Sequence, residues 1–152
     1  MDTSDGSLRQ GHRLLQAGVL LFLFALFVGL VVPHFSAPRL GLSAHLLGIM
    51  QGIFLMVAGL LWPKLELPRA MSRVGPWLAI YGCFAAWTAN VLAGVWAAGN
   101  SMLPMAAGQA HGSVLQEGII TVSLRTAAVS LIAVAILILW GLRTFAVDKS
   151  GK

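Results

Sequence analysis

The chain has 152 residues, of which 58% are hydrophobic and 10% charged, and its formal net charge is +5. A soluble domain carries about 25% charged residues, so this composition excludes an ordinary soluble protein and indicates an integral membrane protein. The single cysteine, Cys83, excludes a disulfide within the chain and a metal site built from several cysteines.

Four apolar segments predict four membrane-spanning helices, which form one domain covering residues 1–152. The segments cover approximately residues 14–32, 42–62, 76–98 and 119–142. Each has about 20 residues, the length at which a helix crosses the ~30 Å hydrocarbon core. Ser43 is the expected N-cap of the second helix, and Pro76 is the expected start of the third. The predicted fold is an all-α, four-helix up-down bundle.

Basic residues near the helix ends predict the orientation of the chain. One side carries only Arg39, whereas the other carries eight residues: Arg9, Arg13, Lys64, Arg69, Arg73, Arg143, Lys149 and Lys152. Because Lys and Arg accumulate in cytoplasmic loops, we expect both termini in the cytoplasm. This topology explains the positive charge without a nucleic-acid partner. The first apolar segment is too long for a signal-peptide core, so we expect it to stay attached.

Polar side chains inside the predicted helices fall in the outer half of the bundle. At 1.5 Å per residue, Gln51 and Asn90 lie roughly 12 Å below the outer ends of their helices and Arg125 about 9 Å below. Polar groups at such depths cost free energy and often mark functional sites. The sequence therefore predicts an outer polar pocket of six residues: His45, Gln51, Asn90, Glu117, Thr121 and Arg125.

Structural explanations of the same residues stay open. Arg125 can pair with Glu117 or extend its charge to the membrane boundary, and Asn90 can form an interhelical hydrogen bond. Trp87 lies deep in the third helix, one turn from Asn90, whereas the other four tryptophans lie near helix ends, where an interfacial belt is expected.

His45 begins a strip of glycines on the second helix. Gly48, Gly52 and Gly59 follow it by three, seven and fourteen residues, and at about 100° per residue they fall within about 60° of the histidine. Such a strip admits either another helix, which the pattern favours, or the flat face of a macrocycle whose metal His45 ligates. A single histidine ligand would leave one face of a haem iron open, which suits Lewis-acid catalysis.

Several segments together resemble the hydroxylaminobenzene mutases of bacterial nitroarene degradation. These segments are SLRQGHRLLQAGVLLFLFALFVGLVVP, PRLGLSAHLLGIMQGIFL, WTANVLAGVWAAG and MLPMAAGQAHG…LQEGII. More distantly, the H-x5-Q-G pattern that begins at His45 and the WTAN that ends at Asn90 are similar to the styrene oxide isomerases. Those proteins are small four-helix membrane enzymes that bind haem b at the subunit interfaces of a trimer.

The resemblance to the mutases implies a bacterial inner-membrane isomerase that converts an aryl hydroxylamine to an ortho-aminophenol without net redox change. The resemblance to the isomerases implies a homotrimer and ferric haem b, with His45 as the axial ligand. Gln51 and Asn90 would then orient the substrate, and Glu117 would move a proton. The implied cofactor contacts are Gly48, Gly52, Trp87 and, for a propionate, Arg39 or Arg125.

Other functions stay open at this point. A non-catalytic haem or electron-transfer subunit would need a second axial ligand, and a transporter or scaffold would use the polar residues for packing. An epoxide isomerase of the styrene oxide type is a further alternative. The chain departs from the isomerase pattern at one position, because Gln51 stands where that pattern has Asn.

Overall fold

The computed structural model describes residues 3–108 and 111–147, and every regular element within them is helical. The helices are α1 (Thr3–Val31), α2 (Pro38–Leu61), α3 (Arg69–Trp96), the short α4 (Pro104–Ala107) and α5 (Val114–Val147). Short 3-10 turns, Val32–His34 and Trp62–Lys64, follow α1 and α2. The four long helices are each apolar and long enough to cross a membrane, which confirms the predicted fold class.

The long helices extend beyond the apolar segments, and the predicted starts of α2, α3 and α5 were wrong. α2 begins at Pro38, with Ala37 as its N-cap, because proline is well suited to the first helical position; Ser43 therefore lies inside the helix. α5 begins before Ile119 because Ser113 and Gln116 form a capping box. In it Ser113 N–H donates to Gln116 Oε1 at 2.8 Å and Gln116 N–H donates to Ser113 Oγ at 3.3 Å.

Pro76 lies inside α3 and not at its start. Proline lacks an N–H, so the carbonyl four residues earlier, that of Ser72, loses its helical partner. Trp62 replaces it, because its Nε1–H donates to the Ser72 carbonyl at 3.2 Å. Gly75 provides the space, since a Cβ there would lie 2.5 Å from the Trp62 ring. The freed carbonyl is thus paired within the protein.

α1 and α2 run antiparallel and touch through glycines spaced seven residues apart. Gly11 faces Gly59, and Gly18 faces Gly52; a Cβ on any of these four would approach the opposite carbonyl oxygen to 2.6–2.9 Å. Small residues let two membrane helices bring their backbones into contact. This contact fixes the register of the two helices along their whole length.

α3 lies against α2 and α1, whereas α5 packs mainly against α3. The main core lies between the first three helices and the facing side of α5; its buried members are Leu14, Leu21, Leu55, Ala58, Trp62, Ala79, Cys83 and Val134. Only 17% of the most apolar window of α5 is buried, against 44% for α3. The peripheral α5 therefore contributes one packed face. Lys149 and Lys152, used above to predict orientation, lie outside the described residues.

The α1–α2 contact yields a matched pair of glycine substitutions. Gly52→Ala should destabilise the protein by about 1–3 kcal/mol, because its methyl would meet the Gly18 carbonyl at 2.9 Å. Gly118→Ala should stabilise it by up to ~1 kcal/mol, because nothing lies within 4 Å of that position and alanine is the better helix former. Thermal unfolding in detergent, followed by circular dichroism, measures both. Equal melting temperatures for the two variants would contradict the packing.

Candidate active site

His45 is held against α1 by its imidazole. Its Nδ1–H donates to the Ala25 carbonyl at 2.7 Å, since a carbonyl can only accept. Gly29 provides the space, because a Cβ there would lie 2.5 and 2.6 Å from Nδ1 and Cε1. With the proton on Nδ1, the ring atom available to a metal is Nε2. His45 is half-buried, and its Nε2 makes no hydrogen bond to a described residue.

This histidine fits the role of a single axial ligand. An imidazole whose Nδ1–H is fixed by a carbonyl presents Nε2 in the arrangement usual for metal-bound histidines. Within residues 3–108 and 111–147, no three His, Cys, Asp or Glu side chains come together to hold a bare ion. A porphyrin supplies four ligands of its own, so haem is a metal group for which one histidine suffices.

The glycine strip, in contrast, is filled by protein. A Cβ on Gly48 would lie 2.6 Å from Trp87 Cδ1 and 2.7 Å from the Ala25 Cβ, and Gly52 faces α1. These two glycines therefore serve helix packing, the alternative that the pattern favoured. Their expected contacts with a macrocycle stay a prediction beside these contacts with α1 and Trp87. The half-buried His45 is the residue of this strip at which a cofactor can meet the chain.

Two amides are buried between the helices, and their surroundings differ. Asn90 is 3% exposed; its Nδ2 donates to the Ala86 carbonyl at 3.0 Å, and its Oδ1 accepts from Ser43 Oγ at 3.4 Å. Asn90 therefore joins α3 to α2, as the structural interpretation anticipated. Gln51 is 8% exposed, and its Oε1 has no partner among the described residues.

Trp87 lies beside this amide region. Its ring stacks on Phe24 of α1, with centroids 5.9 Å apart and planes 18° apart, and its Nε1 lies 2.7 Å from the Cβ position of Gly48. The indole N–H is buried and, like Gln51 Oε1, unpaired within the described part of the chain. α1, α2 and α3 thus enclose one unpaired donor and one unpaired acceptor.

Glu117 organises the connection between α3 and α5. Oε1 accepts from the N–H groups of Gly99, Asn100 and Gly112 at 2.7, 3.2 and 3.3 Å, and Oε2 accepts from that of Ser101 at 3.2 Å. Backbone N–H groups arranged around a carboxylate stabilise its charged form. These hydrogen bonds give Glu117 a structural role, and its expected proton-transfer role stays a prediction.

The remaining predicted residues form no hydrogen bond with the buried amides. Arg125 is exposed on α5, and Glu117 meets backbone N–H groups instead of pairing with it. Arg39 is exposed in the first turn of α2, and Thr121 is half-buried. The structure brings His45, Gln51, Trp87 and Asn90 to adjoining turns of α2 and α3, and leaves Glu117 and Arg125 on α5.

The sequence analysis missed the contribution of α1. Phe24, Ala25 and Gly29 hold Trp87 and His45, and Ser43 binds Asn90. A signal was present, because Gly11, Gly18 and Ala25 repeat every seven residues, as do Gly59, Gly52 and His45. Matching the two series predicts the α1–α2 register.

Comparison with known proteins identifies the family. The sequence profile of the styrene oxide isomerase family matches residues 10–143. The chain belongs to this family. It is 45% identical over 133 residues to hydroxylaminobenzene mutase HabB of Ectopseudomonas oleovorans, and the match covers 88% of this chain and 81% of that protein. It is 41% identical over 129 residues to HabA of the same organism, with coverages of 85% and 96%. No solved structure matches it.

These matches confirm the resemblance noted in the sequence. The matched region contains every candidate site residue, from Arg39 to Arg125. Relatives named mutases, together with an isomerase family, make this chain a mutase or isomerase. Its four apolar helices make it a membrane protein.

Glu117→Gln should loosen the α3–α5 connection. The amide keeps one acceptor oxygen but loses the negative charge and turns N–H donors toward other N–H donors. Amide hydrogen exchange at Gly99 to Ser101 should become about tenfold faster, the change expected when ~1.4 kcal/mol of local stability is lost. Glu66→Gln, on an exposed residue of the opposite end, is the control. Unchanged exchange in the Glu117 variant would refute the structural role.

Proposed function

We propose that the protein converts aryl hydroxylamines such as hydroxylaminobenzene into ortho-aminophenols such as 2-aminophenol. The observation that carries the proposal is the identity of 45% and 41% to two relatives named hydroxylaminobenzene mutase. In this isomerisation the N–O bond breaks, a C–O bond forms at the ortho carbon, and the proton lost there is balanced by one gained at nitrogen. No electrons enter or leave.

The proposal includes ferric haem b held by His45 Nε2. It is supported by the Nδ1–H contact with the Ala25 carbonyl, which leaves Nε2 of the half-buried ring without a hydrogen bond to a described residue. When bound, haem supplies a Lewis acid that polarises the N–O bond. Because His45 is only half-buried in one chain, we also propose a homotrimer with the cofactor at subunit interfaces. Arg39 or Arg125, both exposed cations, would pair with a propionate.

The residues of the chain itself bind and orient the substrate. Gln51 offers an unpaired acceptor to the hydroxylamino group. Asn90 would act through Ser43, by keeping α2 and α3 in the register that places Gln51. The surrounding helices carry mainly apolar side chains. They would exclude water, so that the hydroxyl group returns to the same ring and does not exchange with solvent.

We propose that the enzyme lies in a bacterial inner membrane with both termini in the cytoplasm. The four helices able to cross a membrane support the location, and the basic residues at one end of the bundle support the orientation. A substrate as apolar as an aryl hydroxylamine would reach the site through the bilayer.

A second candidate is the isomerisation of an aryl epoxide, which the family match favours. It would use the same iron ligand, His45, and the bond to be polarised would be a C–O bond in place of the N–O bond. Incubating the purified protein separately with phenylhydroxylamine and with styrene oxide, followed by product analysis, distinguishes the two reactions.

His45→Ala should remove the visible absorption of the purified protein and reduce 2-aminophenol formation by more than about 100-fold, because the only proposed iron ligand is lost. His34→Ala is the matched control, since His34 is exposed in the turn after α1, and it should keep both properties. Absorption spectra and chromatography of the product measure the two effects.

The two halves of the proposal fail separately. A colourless parent protein that forms 2-aminophenol would refute the cofactor and leave the reaction intact. A coloured parent that forms no product from either substrate, with a six-coordinate low-spin spectrum in both redox states, would indicate an electron-transfer subunit.

A further inference from the structure

We infer that Trp87 Nε1–H and Gln51 Oε1 form a donor–acceptor pair that holds the hydroxylamino group and selects aryl hydroxylamines over epoxides. The inference rests on the proposed function, because it names how that substrate is recognised. It gives Trp87 a direct contact with substrate in place of the cofactor contact expected from the sequence.

The first observation is that both groups are buried without partners. Gln51 Oε1 and Trp87 Nε1 are the buried side-chain N or O atoms that lack a hydrogen bond among the described residues. Leaving such groups unpaired costs folding free energy, so each one calls for an explanation. Here the explanation is a bound guest that completes both hydrogen bonds.

The chain pairs its other buried polar side chains internally. Asn90 uses both ends of its amide, and Ser130 Oγ donates to the Thr126 carbonyl at 2.9 Å. The comparison with Trp62 is direct, because this buried indole donates to the Ser72 carbonyl. The fold can therefore pair a buried indole N–H, yet the N–H of Trp87 has no partner among the described residues.

The second observation is the position of the pair next to His45. Trp87 Nε1 lies 2.7 Å from the Cβ position of Gly48. Gly48 is three residues after His45 and three before Gln51, and residues three apart on a helix are neighbours at about 5–6 Å between Cβ atoms. Stacking on Phe24 holds the indole in place. Donor, acceptor and proposed metal ligand thus occupy two consecutive turns of α2 and the residue facing them.

The chemistry of the pair specifies the guest. A group that satisfies both atoms must accept a hydrogen bond from the indole and donate one to the amide oxygen. The –NH–OH group does both, because its oxygen accepts while its N–H or O–H donates. An epoxide oxygen only accepts, so it would leave Gln51 Oε1 unpaired, and a site built to hydrogen-bond a donor rejects a ligand that lacks one.

Kinetics of the full-length protein in detergent test the pair. Trp87→Phe keeps the ring that stacks on Phe24 but removes the N–H, and kcat/KM for phenylhydroxylamine should fall at least about tenfold. Gln51→Met should cause a similar loss while weakening inhibition by styrene oxide by less than about twofold. Combined, the two substitutions should cost less than the product of their separate effects, because they hold one group. Trp140→Phe, on an exposed residue of α5, is the control and should match the parent.

A measurement without turnover separates this inference from the proposed function. The indole N–H resonances of ¹⁵N-labelled protein are recorded with benzyl alcohol, which donates and accepts, and with benzyl methyl ether, which only accepts. The resonance absent from Trp87→Phe should shift with the alcohol, and at least about fivefold less ether than alcohol should bind at equal concentration. If Trp87→Phe does not fold, the assignment is made by Trp140→Phe and the remaining single variants.

The outcomes are distinct. A parent that lacks turnover but shows the alcohol-dependent shift would refute the proposed reaction and retain the polar pair. An active parent whose Trp87→Phe and Gln51→Met variants keep kcat/KM, or whose indole resonance ignores both probes, would overturn the inference. So would a lower melting temperature with unchanged kinetics, which would indicate an ordered water as the only guest.

Discussion

The backbone contact between α1 and α2 is the constraint on which the rest of this structure depends. Gly11 and Gly18 meet Gly59 and Gly52 at a spacing of seven residues, and the next position in the same series holds His45. At this position a side chain joins the two helices, because the imidazole of His45 donates to the Ala25 carbonyl of α1. The two helices therefore determine both the direction of the histidine and the tautomer it adopts. The orientation of His45 is thus a consequence of the packing of α1 against α2.

Polar groups inside this bundle divide into those that hold the fold and those that are left available. Asn90 forms hydrogen bonds between helices, and Glu117 forms them with a loop, in each case with other residues of the protein. Gln51 Oε1 and Trp87 Nε1 are buried, and neither has a hydrogen-bond partner among the described residues. In a membrane, where water cannot complete missing hydrogen bonds, this difference separates scaffold from binding site more clearly than residue type does.

Composition and apolar length were sufficient to predict the four helices, because a helix that crosses a bilayer needs an apolar run of known length. Helix ends were less predictable, since Pro38 and the Ser113–Gln116 capping box decided where α2 and α5 begin. Gln51 and Asn90 were predicted to lie inside their helices, and both are buried within the bundle. Their depth in the membrane stays a prediction. What depth could not give was rotation. Arg125 and Glu117 share the predicted level, yet Arg125 is exposed on α5, which packs mainly on α3, and Glu117 binds the loop before α5.

The carboxylate of Glu117 also sets an order in time. The N–H groups that it collects belong to residues 99–101 and 112, which precede it in the chain. During translation these residues are therefore synthesised before Glu117, whose side chain binds their N–H groups. The N–H groups of these residues can be bound only after the first turn of α5 has been made. A nascent chain that ends before that turn would have three complete long helices and no carboxylate to order this connection.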